Sequence, residues 1–268
     1  MSKILHIVLT TIISLTVISC SSSDDSKTTT SSVSFVAVGT SGTLLTSSDG
    51  TTWTSRTSDT SNHLQRVIYE NSTFVTVGNS GTILTSSDGT TWTSRTSGTT
   101  NDLWGDHYGN SIFVAVGDSG TILSSSDGTS WDNRTSGTSY GLQKVFYANS
   151  RFMVVGDAGS MLRSSDGTSW DNSTSQTTAN LYGIHYVNSS IVMVGESGNI
   201  ITSLNDGSDW DNRTSGTTNR LYKVTYGNST FVTVGLSGTI LTSSDNGTTW
   251  ISRTSGTTET LHGIAYKE

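Results

Sequence analysis

Proline is absent from this 268-residue chain, and only 13% of its residues are charged. Ser and Thr dominate the polar positions, and 28 glycines are available for turns. This composition favours short β-strands joined by tight turns, and it argues against a coiled coil or a helical bundle.

Positive charge is also scarce. The chain has 14 Lys and Arg against 21 Asp and Glu, which gives a net charge of -7 and a pI near 5.1. A protein that binds the phosphate backbone needs a cationic surface to release counterions. We therefore expect no nucleic-acid partner.

Cysteine occurs once, so no internal disulfide can form. Cys20 follows Lys3 and the apolar run 4–18, which is too short to span a bilayer comfortably but fits the core of a signal peptide. The tetrapeptide Val17-Ile18-Ser19-Cys20 resembles the bacterial lipobox, in which the cysteine is lipidated and becomes the new N-terminus. The alternative is an ordinary signal peptide with a chance cysteine.

These features predict three regions. Residues 1–19 are expected to be a lipoprotein signal peptide, residues 20–33 a flexible linker lipidated at Cys20, and residues 34–268 the folded domain. The linker carries Asp24 and Asp25, a pair similar to signals that send some lipoproteins to the cell surface. We expect a bacterial cell-envelope protein at the outer membrane or cell surface, bound to the membrane only through lipid.

An internal repeat of about 39 residues occupies the rest of the chain. It is marked by a Val-Gly pair and, 14 or 15 residues later, by a tryptophan. Successive glycines of the pair are 39, 39, 39, 39 and 40 residues apart, at Gly39, Gly78, Gly117, Gly156, Gly195 and Gly235. Six copies are therefore present.

Each copy contains four stretches with the composition of strands. They are represented by residues 142–147, 74–78, 81–86 and 92–96. Four antiparallel strands in about 40 residues are typical of a propeller blade. The sequence thus predicts an all-β, six-bladed β-propeller of four-stranded antiparallel blades.

The ends of the repeat array predict how the ring closes. The chain ends with a first strand, residues 261–266, and the array begins with a second strand at Phe35. Pairing the C-terminal strand with the N-terminal blade completes one blade and removes exposed sheet edges. The competing architecture is an open β-solenoid.

The turn before each tryptophan carries the most specific motif. The copy from Ser243 to Trp250 matches Ser-x-Asp-x-Gly-x-Thr-Trp in full, and the other copies are shorter or have Asn205 at the aspartate position. These repeats resemble Asp-box propellers, which include sialidases and photosystem II assembly-factor-like proteins. We interpret the aspartates as structural, since their carboxylates can accept turn N–H groups, with calcium binding as the minor alternative. They are Asp49, Asp88, Asp127, Asp166 and Asp245.

Catalytic and metal-binding patterns are missing from the sequence. The arginines after the tryptophans recur in five of the six copies, and the copies differ in length by only one residue, so no insertion can build a sialidase-like site. The histidines do not have ligand spacing. We predict no enzyme activity, no catalytic residue, no metal and no cofactor.

Binding is expected where the copies differ. The two positions after the first leucine of each copy vary, and the second of them alternates between a cation and glycine. If the innermost strand lines the channel, aromatic and basic residues gather near one mouth; alternatively they only fill the seams between blades. The candidate ligand-binding residues are Trp104, Tyr182, Tyr222, His262, Arg66, Lys144 and Lys223. The turn between second and third strands also varies, with carboxylates at Asp118, Asp157 and Glu196.

The resulting function hypothesis is a monomeric, non-catalytic, lipid-anchored propeller that binds or scaffolds a protein or glycan. Two alternatives come from the resemblance to Asp-box propellers: a glycoside hydrolase or lyase, and an assembly factor of the photosystem type. The first rests on fold-level analogy alone.

Overall fold

A computed structural model describes residues 33–266 of the chain. The described residues form 23 strands in six antiparallel sheets, of which five have four strands and the first has three. Each sheet is one repeat, and strand order within a sheet follows the chain. The predicted six-bladed β-propeller is confirmed.

We number the blades I to VI along the chain. Blade I contains β1 (Phe35–Val38), β2 (Leu44–Ser47) and β3 (Thr54–Ser55). The innermost strands of the other blades are β4 (Leu64–Glu70), β8 (Leu103–Gly109), β12 (Leu142–Ala148), β16 (Leu181–Val187) and β20 (Leu221–Gly227). The second strands are β5 (Thr73–Gly78), β9 (Ile112–Gly117), β13 (Arg151–Gly156), β17 (Ser190–Gly195) and β21 (Thr230–Gly235).

The third strands of blades II to VI are β6 (Ile83–Ser86), β10 (Ile122–Ser125), β14 (Met161–Ser164), β18 (Ile200–Ser203) and β22 (Ile240–Ser243). The outermost strands are β7 (Thr93–Arg95), β11 (Asp132–Arg134), β15 (Asp171–Ser173), β19 (Asp211–Arg213) and β23 (Ile251–Arg253). Single-turn 3-10 segments follow the second strands at Thr40–Gly42, Asn79–Gly81, Asp118–Gly120, Asp157–Gly159, Glu196–Gly198 and Leu236–Gly238.

The hydrophobic core lies in the seams between blades. Second and third strands are buried on both faces because blades stack against each other, so they are apolar without strict alternation. Five clusters of buried residues fill the five seams from I–II to V–VI. A tryptophan packs in each of these seams: Trp92, Trp131, Trp170, Trp210 and Trp250.

The 3-10 turns join each blade to the next. In blade II, Ser80 adopts a φ of 54° and Gly81 a φ of 67°. A Cβ on Gly81 would lie 2.1 Å from the carbonyl oxygen of Thr99, so only glycine fits there. The backbone N–H of Leu64 donates to the carbonyl of Gly39 in blade I at 2.9 Å, and this link aligns consecutive blades.

The predicted ring closure is not confirmed. Residues 261–266 contact blade VI in the same way as β4 contacts blade I. The N–H of Leu261 donates to the carbonyl of Gly235 at 3.0 Å, as the N–H of Leu64 donates to the carbonyl of Gly39. No strand pairing joins this segment to β1 among residues 33–266, so blade I has three strands. Trp53 of blade I is 39% exposed, whereas its counterparts lie in seams. The segment lacks a partner on its β1 side, and closure remains a prediction.

Cys20, the signal peptide and nearly all of the linker lie outside the described residues. Their predicted roles are therefore untested by the structure. Within residues 33–266, no helix is long and apolar enough to cross a bilayer.

Candidate functional site

The residues that directly follow the first leucine of each innermost strand lie on the same face of the propeller as the carboxylates in the turns between second and third strands. Trp104, at the start of an innermost strand, donates from Nε1 to Oδ1 of Asp118 in the turn of its own blade at 2.7 Å. In blade IV, Gln143 donates to Asp157 at 3.1 Å. The sequence predicted both sets separately, and the structure brings them together. We call this surface the variable face.

One side of the variable face is aromatic. The rings of Tyr182 and Tyr222 are 6.0 Å apart, and Tyr222 is 5.1 Å from the ring of His262. The guanidinium of Arg220 lies 5.2 Å from the Tyr182 centroid and 5.8 Å from that of Tyr222. Arg220 also pairs with Glu196 at 3.4 Å, so its head is fixed over the two tyrosines.

The other side of the variable face is acidic. A Cβ on Gly141 would lie 2.6 Å from Oδ2 of Asp157 and 3.5 Å from Oδ1 of Asp118, so both carboxylates border the same small space. Burial raises the pKa of Asp157, and the negative charges of Asp118 and Glu196 raise it further, against the hydrogen bond from Gln143. Tyr140, beside Gly141, is 55% exposed.

The predicted cations lie one position further along the innermost strands. Arg66, Lys144 and Lys223 are each partly buried, whereas Gln65 is exposed. The structure therefore separates two groups that the sequence placed together at one mouth: the aromatic residues belong to the variable face, and the cations belong to the channel wall. The shift follows from a bulge between Leu142 and Lys144 that recurs in blades II, III, V and VI.

A buried carboxylate accompanies the cations, and sequence reasoning missed it. Asp106 is 1% exposed, and its Oδ1 is 2.9 Å from Nε of Arg66. Burial raises its pKa to about 6, although the charges of Arg66 and Lys144 oppose that rise. The available signal was a departure from the repeat, because the equivalent positions hold only Val or Ile: Val67, Val145, Ile184, Val224 and Ile264.

His185 lies beside the cations. Its ring is 6.3 Å from that of Phe146 and 6.1 Å from that of Phe231. Burial lowers its pKa to about 4, and the charge of Lys223 contributes to the same direction. His185 is therefore neutral near pH 7 and adds no charge to the channel.

The turn aspartates accept hydrogen bonds within their own turns. In blade II, Oδ1 of Asp88 accepts the N–H groups of Thr90 and Thr91 at 2.7 and 2.8 Å, and Ser86 donates to it at 2.9 Å. The same arrangement holds for Asp49, Asp127 and Asp166, and Asp245 accepts the equivalent N–H groups.

These hydrogen bonds control the ionisation of the turn aspartates. The N–H of the third residue after the aspartate is the largest cause that holds the pKa well below its usual range in four of the five turns. In the last turn, burial opposes the shift, but hydrogen bonds from Thr249, Ser243 and Thr248 still lower the pKa of Asp245 to about 2. The aspartates thus stabilise the turns as anions.

Two other kinds of site concern the described residues: groups of side chains that could bind a metal ion, and grooves between blades. Within the described part of the chain, no three His, Cys, Asp or Glu side chains are grouped so that they could hold an ion. The described interblade grooves, of about 760 to 830 Å³, are lined by the periodic Ser, Gly and Thr residues of adjacent turns.

Comparison with known proteins supports the fold. No family model and no curated protein matches the chain. Among solved structures, "YCF48 bound to D1 peptide" has a TM-score of 0.64 at 20% identity, and covers 81% of this chain and 76% of its own. YCF48 from Cyanidioschyzon merolae gives 0.63 at 18% identity, with 81% and 80% coverage. The computationally designed Ika8 protein gives 0.56 at 12% identity, with 79% and 70% coverage. At these identities the likeness shows the β-propeller fold alone.

Proposed function

We propose that this chain is a non-catalytic β-propeller, lipid-anchored through Cys20 in the bacterial cell envelope, that binds a segment of a partner protein on its variable face. The observation that carries the proposal is that the non-periodic aromatic residues and the non-periodic turn carboxylates converge on that face. In a chain whose copies are otherwise nearly alike, residues that differ and yet lie together are the best candidates for recognition.

The chemistry of the variable face indicates what the partner segment carries. Asp118 and Asp157 attract a cationic side chain, and the Tyr182–Tyr222 pair, whose cation-π contact Arg220 already makes, offers apolar surface on the same face. An extended segment with a Lys or Arg near an apolar residue is complementary to both sides. The solved YCF48 propeller with a bound peptide supports a protein partner in preference to a glycan.

Aromatic exchange tests this proposal without disturbing the blades. The chain itself places Gln at the Trp104 position in blades II and IV, where Gln65 and Gln143 donate to the adjacent turn as Trp104 does. Trp104→Gln therefore keeps a donor to the turn, and its combination with Tyr182→Gln removes aromatic surface at two positions. We expect about a tenfold loss of partner recovery when the full chain, in detergent, captures protein from envelope extracts.

The matched control is Ile251→Ala, because Ile251 is also large, apolar and 54% exposed but lies on the outermost strand of blade VI. Its recovery should equal that of the wild type. Trypsin treatment of the extract should abolish capture. Capture that survives trypsin but is lost after periodate oxidation would assign a glycan instead, and unchanged recovery with the double variant would reject the variable face.

The enzyme alternative has its own test. A glycoside hydrolase requires an acid and a second carboxylate on opposite sides of the bond that is cleaved. Asp118 and Asp157 border one space, but Trp104 and Gln143 already donate to them. A hydrolase screen that shows turnover in the wild type and none in Asp157→Asn would overturn the non-catalytic assignment.

A further inference from the structure

The channel wall carries cations on alternate strands. At the position after the bulge, the six innermost segments have Arg66, Gly105, Lys144, Gly183, Lys223 and Gly263 in order. Cations thus occupy every second innermost segment, which in a closed six-bladed ring is a three-fold arrangement.

The intervening glycines allow this arrangement. A Cβ on Gly105 would lie 3.2 Å from the carbonyl oxygen of Gln143 and 3.3 Å from Cα of Lys144. A Cβ on Gly183 would lie 3.0 Å from the carbonyl oxygen of Tyr222 and 3.2 Å from Cα of Lys223. Each lysine-bearing strand therefore packs directly against a glycine of the strand before it.

The three cations converge closely enough to interact with one another. Burial lowers the pKa of Lys144 well below its ordinary value, and the charges of Arg66 and Lys223 lower it further. Burial likewise lowers the pKa of Lys223, with Arg66 as the second cause. All three pairs of cations are thus electrostatically coupled.

The carboxylates beside these three basic side chains are too few to balance their positive charge. Among the residues that the structure describes, Asp106 is the carboxylate that favours the charged form of Lys144, and it already pairs with Arg66 at 2.9 Å. His185 is neutral, so three basic side chains face one carboxylate, and without a further anion both burial and mutual repulsion disfavour the charged form of Lys144. Like charges held together in a partly desolvated space repel strongly unless a counter-charge lies between them.

We propose that the cluster of Arg66, Lys144 and Lys223 is a binding site for a small oxyanion, a carboxylate or a phosphate, in the central channel. Arginine and lysine donors from three directions match the three-fold distribution of oxygens on a phosphate, and Arg66 can also bind a carboxylate through two nitrogens. The side chain of Arg66 is 23% exposed, so the site is reachable from solvent. This site is separate from the variable face and does not depend on the proposed partner.

Titration calorimetry on the full chain in detergent tests the site, with sodium phosphate and sodium acetate as probes and sodium chloride at equal ionic strength as the reference. We expect phosphate to bind with one-to-one stoichiometry. Binding of acetate as well would assign a general oxyanion site, able to take the carboxylate of a larger molecule, and phosphate binding alone would assign phosphate.

Substitutions in the cluster should change phosphate affinity in opposite directions. Lys144→Met keeps the methylene packing but removes a charge, and should weaken phosphate binding about tenfold. Asp106→Val restores the repeat residue and removes the competing anion, so it should tighten binding. Arg253→Gln, on the exposed outermost strand β23, should leave affinity unchanged.

The proposal is overturned if the folded wild type binds neither phosphate nor acetate, or if Lys144→Met binds phosphate as tightly as the wild type. Circular dichroism melting of each variant establishes that it is folded. If Lys144→Met does not fold, Lys223→Met provides the same test from a different strand. Partner capture by Lys144→Met should be unchanged, so failure of this site is distinguishable from failure of the variable face.

Discussion

The turn aspartates show how one carboxylate organises several backbone donors. Asp88 accepts two N–H groups and a serine hydroxyl through a single oxygen. Blade V performs the same task with a neutral amide, since Oδ1 of Asn205 accepts from Ser203 at 2.9 Å and from the N–H of Asp209 at 2.9 Å. Geometry, more than charge, is therefore what the turn requires.

Two substitutions at one turn separate geometry from charge. Asp88→Ala removes the acceptor and should lower the free energy of unfolding by about 1 kcal/mol, because two N–H groups lose their partner at an exposed turn. Asp88→Asn should cost less than about 0.5 kcal/mol at pH 7, as Asn205 indicates. Urea unfolding measures both. Equal destabilisation by the two variants would show that the charge is essential.

His185 gives the protein a defined response to acid. Its folded pKa is about 4, below the ordinary value of about 6.5, so its neutral form stabilises the fold above pH 6.5. That stabilisation is lost as the pH falls from 6.5 to 4. Asp106, with a raised pKa of about 6, acts in the opposite sense over a similar range.

Phenylalanine occupies the His185 position in blade IV, at Phe146, so His185→Phe is compatible with the blade. Between pH 7 and pH 4, the free energy of unfolding should fall less in this variant than in the wild type. The difference should be at most about 3 kcal/mol. Urea unfolding at both pH values gives the difference, from which the Asp106 contribution cancels. Parallel stability curves for the two proteins would contradict the burial of His185.

The residues of the candidate site could be predicted only in part. Variation among copies identified Trp104 and the three cations, because a repeat makes every departure visible. Asp106 is an equal departure, but a single carboxylate among Val and Ile residues gains meaning only when Arg66 is seen 2.9 Å away. Arg220 was missed for the same reason, since its role depends on the neighbouring tyrosines.

At the scale of elements, the sequence predicted strands closely. The predicted first strand 142–147 is β12 (Leu142–Ala148), and the predicted 74–78 is β5 (Thr73–Gly78). The predicted third strand 81–86 begins two residues too early, because Gly81 and Thr82 belong to the 3-10 turn and its cap. Backbone conformation at glycine cannot be deduced from composition, so turn boundaries were the least predictable part.

Two glycines of adjacent connections allow a matched test of that turn. Both have a positive φ, 67° at Gly81 and 73° at Gly98, but a Cβ would clash with Thr99 only at Gly81 and would meet nothing within 4 Å at Gly98. Gly98→Ala should cost about 1 kcal/mol for the left-handed backbone alone. Gly81→Ala should cost about 3 kcal/mol or more, since the turn must also move.

Thermal and urea unfolding of the two variants check the prediction. The difference between them isolates the contact from the backbone conformation. Equal costs would mean that the Thr99 carbonyl moves freely, and that the turn does not fix one blade against the next.

At the scale of the whole molecule, the count of six blades followed from the spacing of the repeats, but the closure of the ring did not. Spacing determines how many units exist and which strand each end supplies. It does not determine whether the last strand pairs with β1 of blade I. Five seams are filled by buried clusters, and blade I has three strands and an exposed Trp53.

Closure has a clear energetic reason. Residues 261–266 already dock on blade VI, and β1 has a free edge within the described sheets. Pairing them would satisfy the backbone groups of that edge and bury Trp53, Leu261 and Ile264 in a sixth seam. We therefore expect the closed ring in solution, with Ile264 opposite Ala37, as Val67 is opposite Thr76 in blade II.

A disulfide tests this register directly. In a chain that carries Cys20→Ser, Ala37→Cys with Ile264→Cys should oxidise within one chain and stabilise the fold by about 4 kcal/mol, because the bond closes a very long loop. The control pair, Ala37→Cys with Ala265→Cys, is one residue out of register and points to opposite faces of the sheet, so it should oxidise poorly. Non-reducing electrophoresis separates the outcomes: an internal bond in the first pair alone supports closure, whereas bonds between chains, or none in either pair, would mean that the ring is open or completed by a second copy.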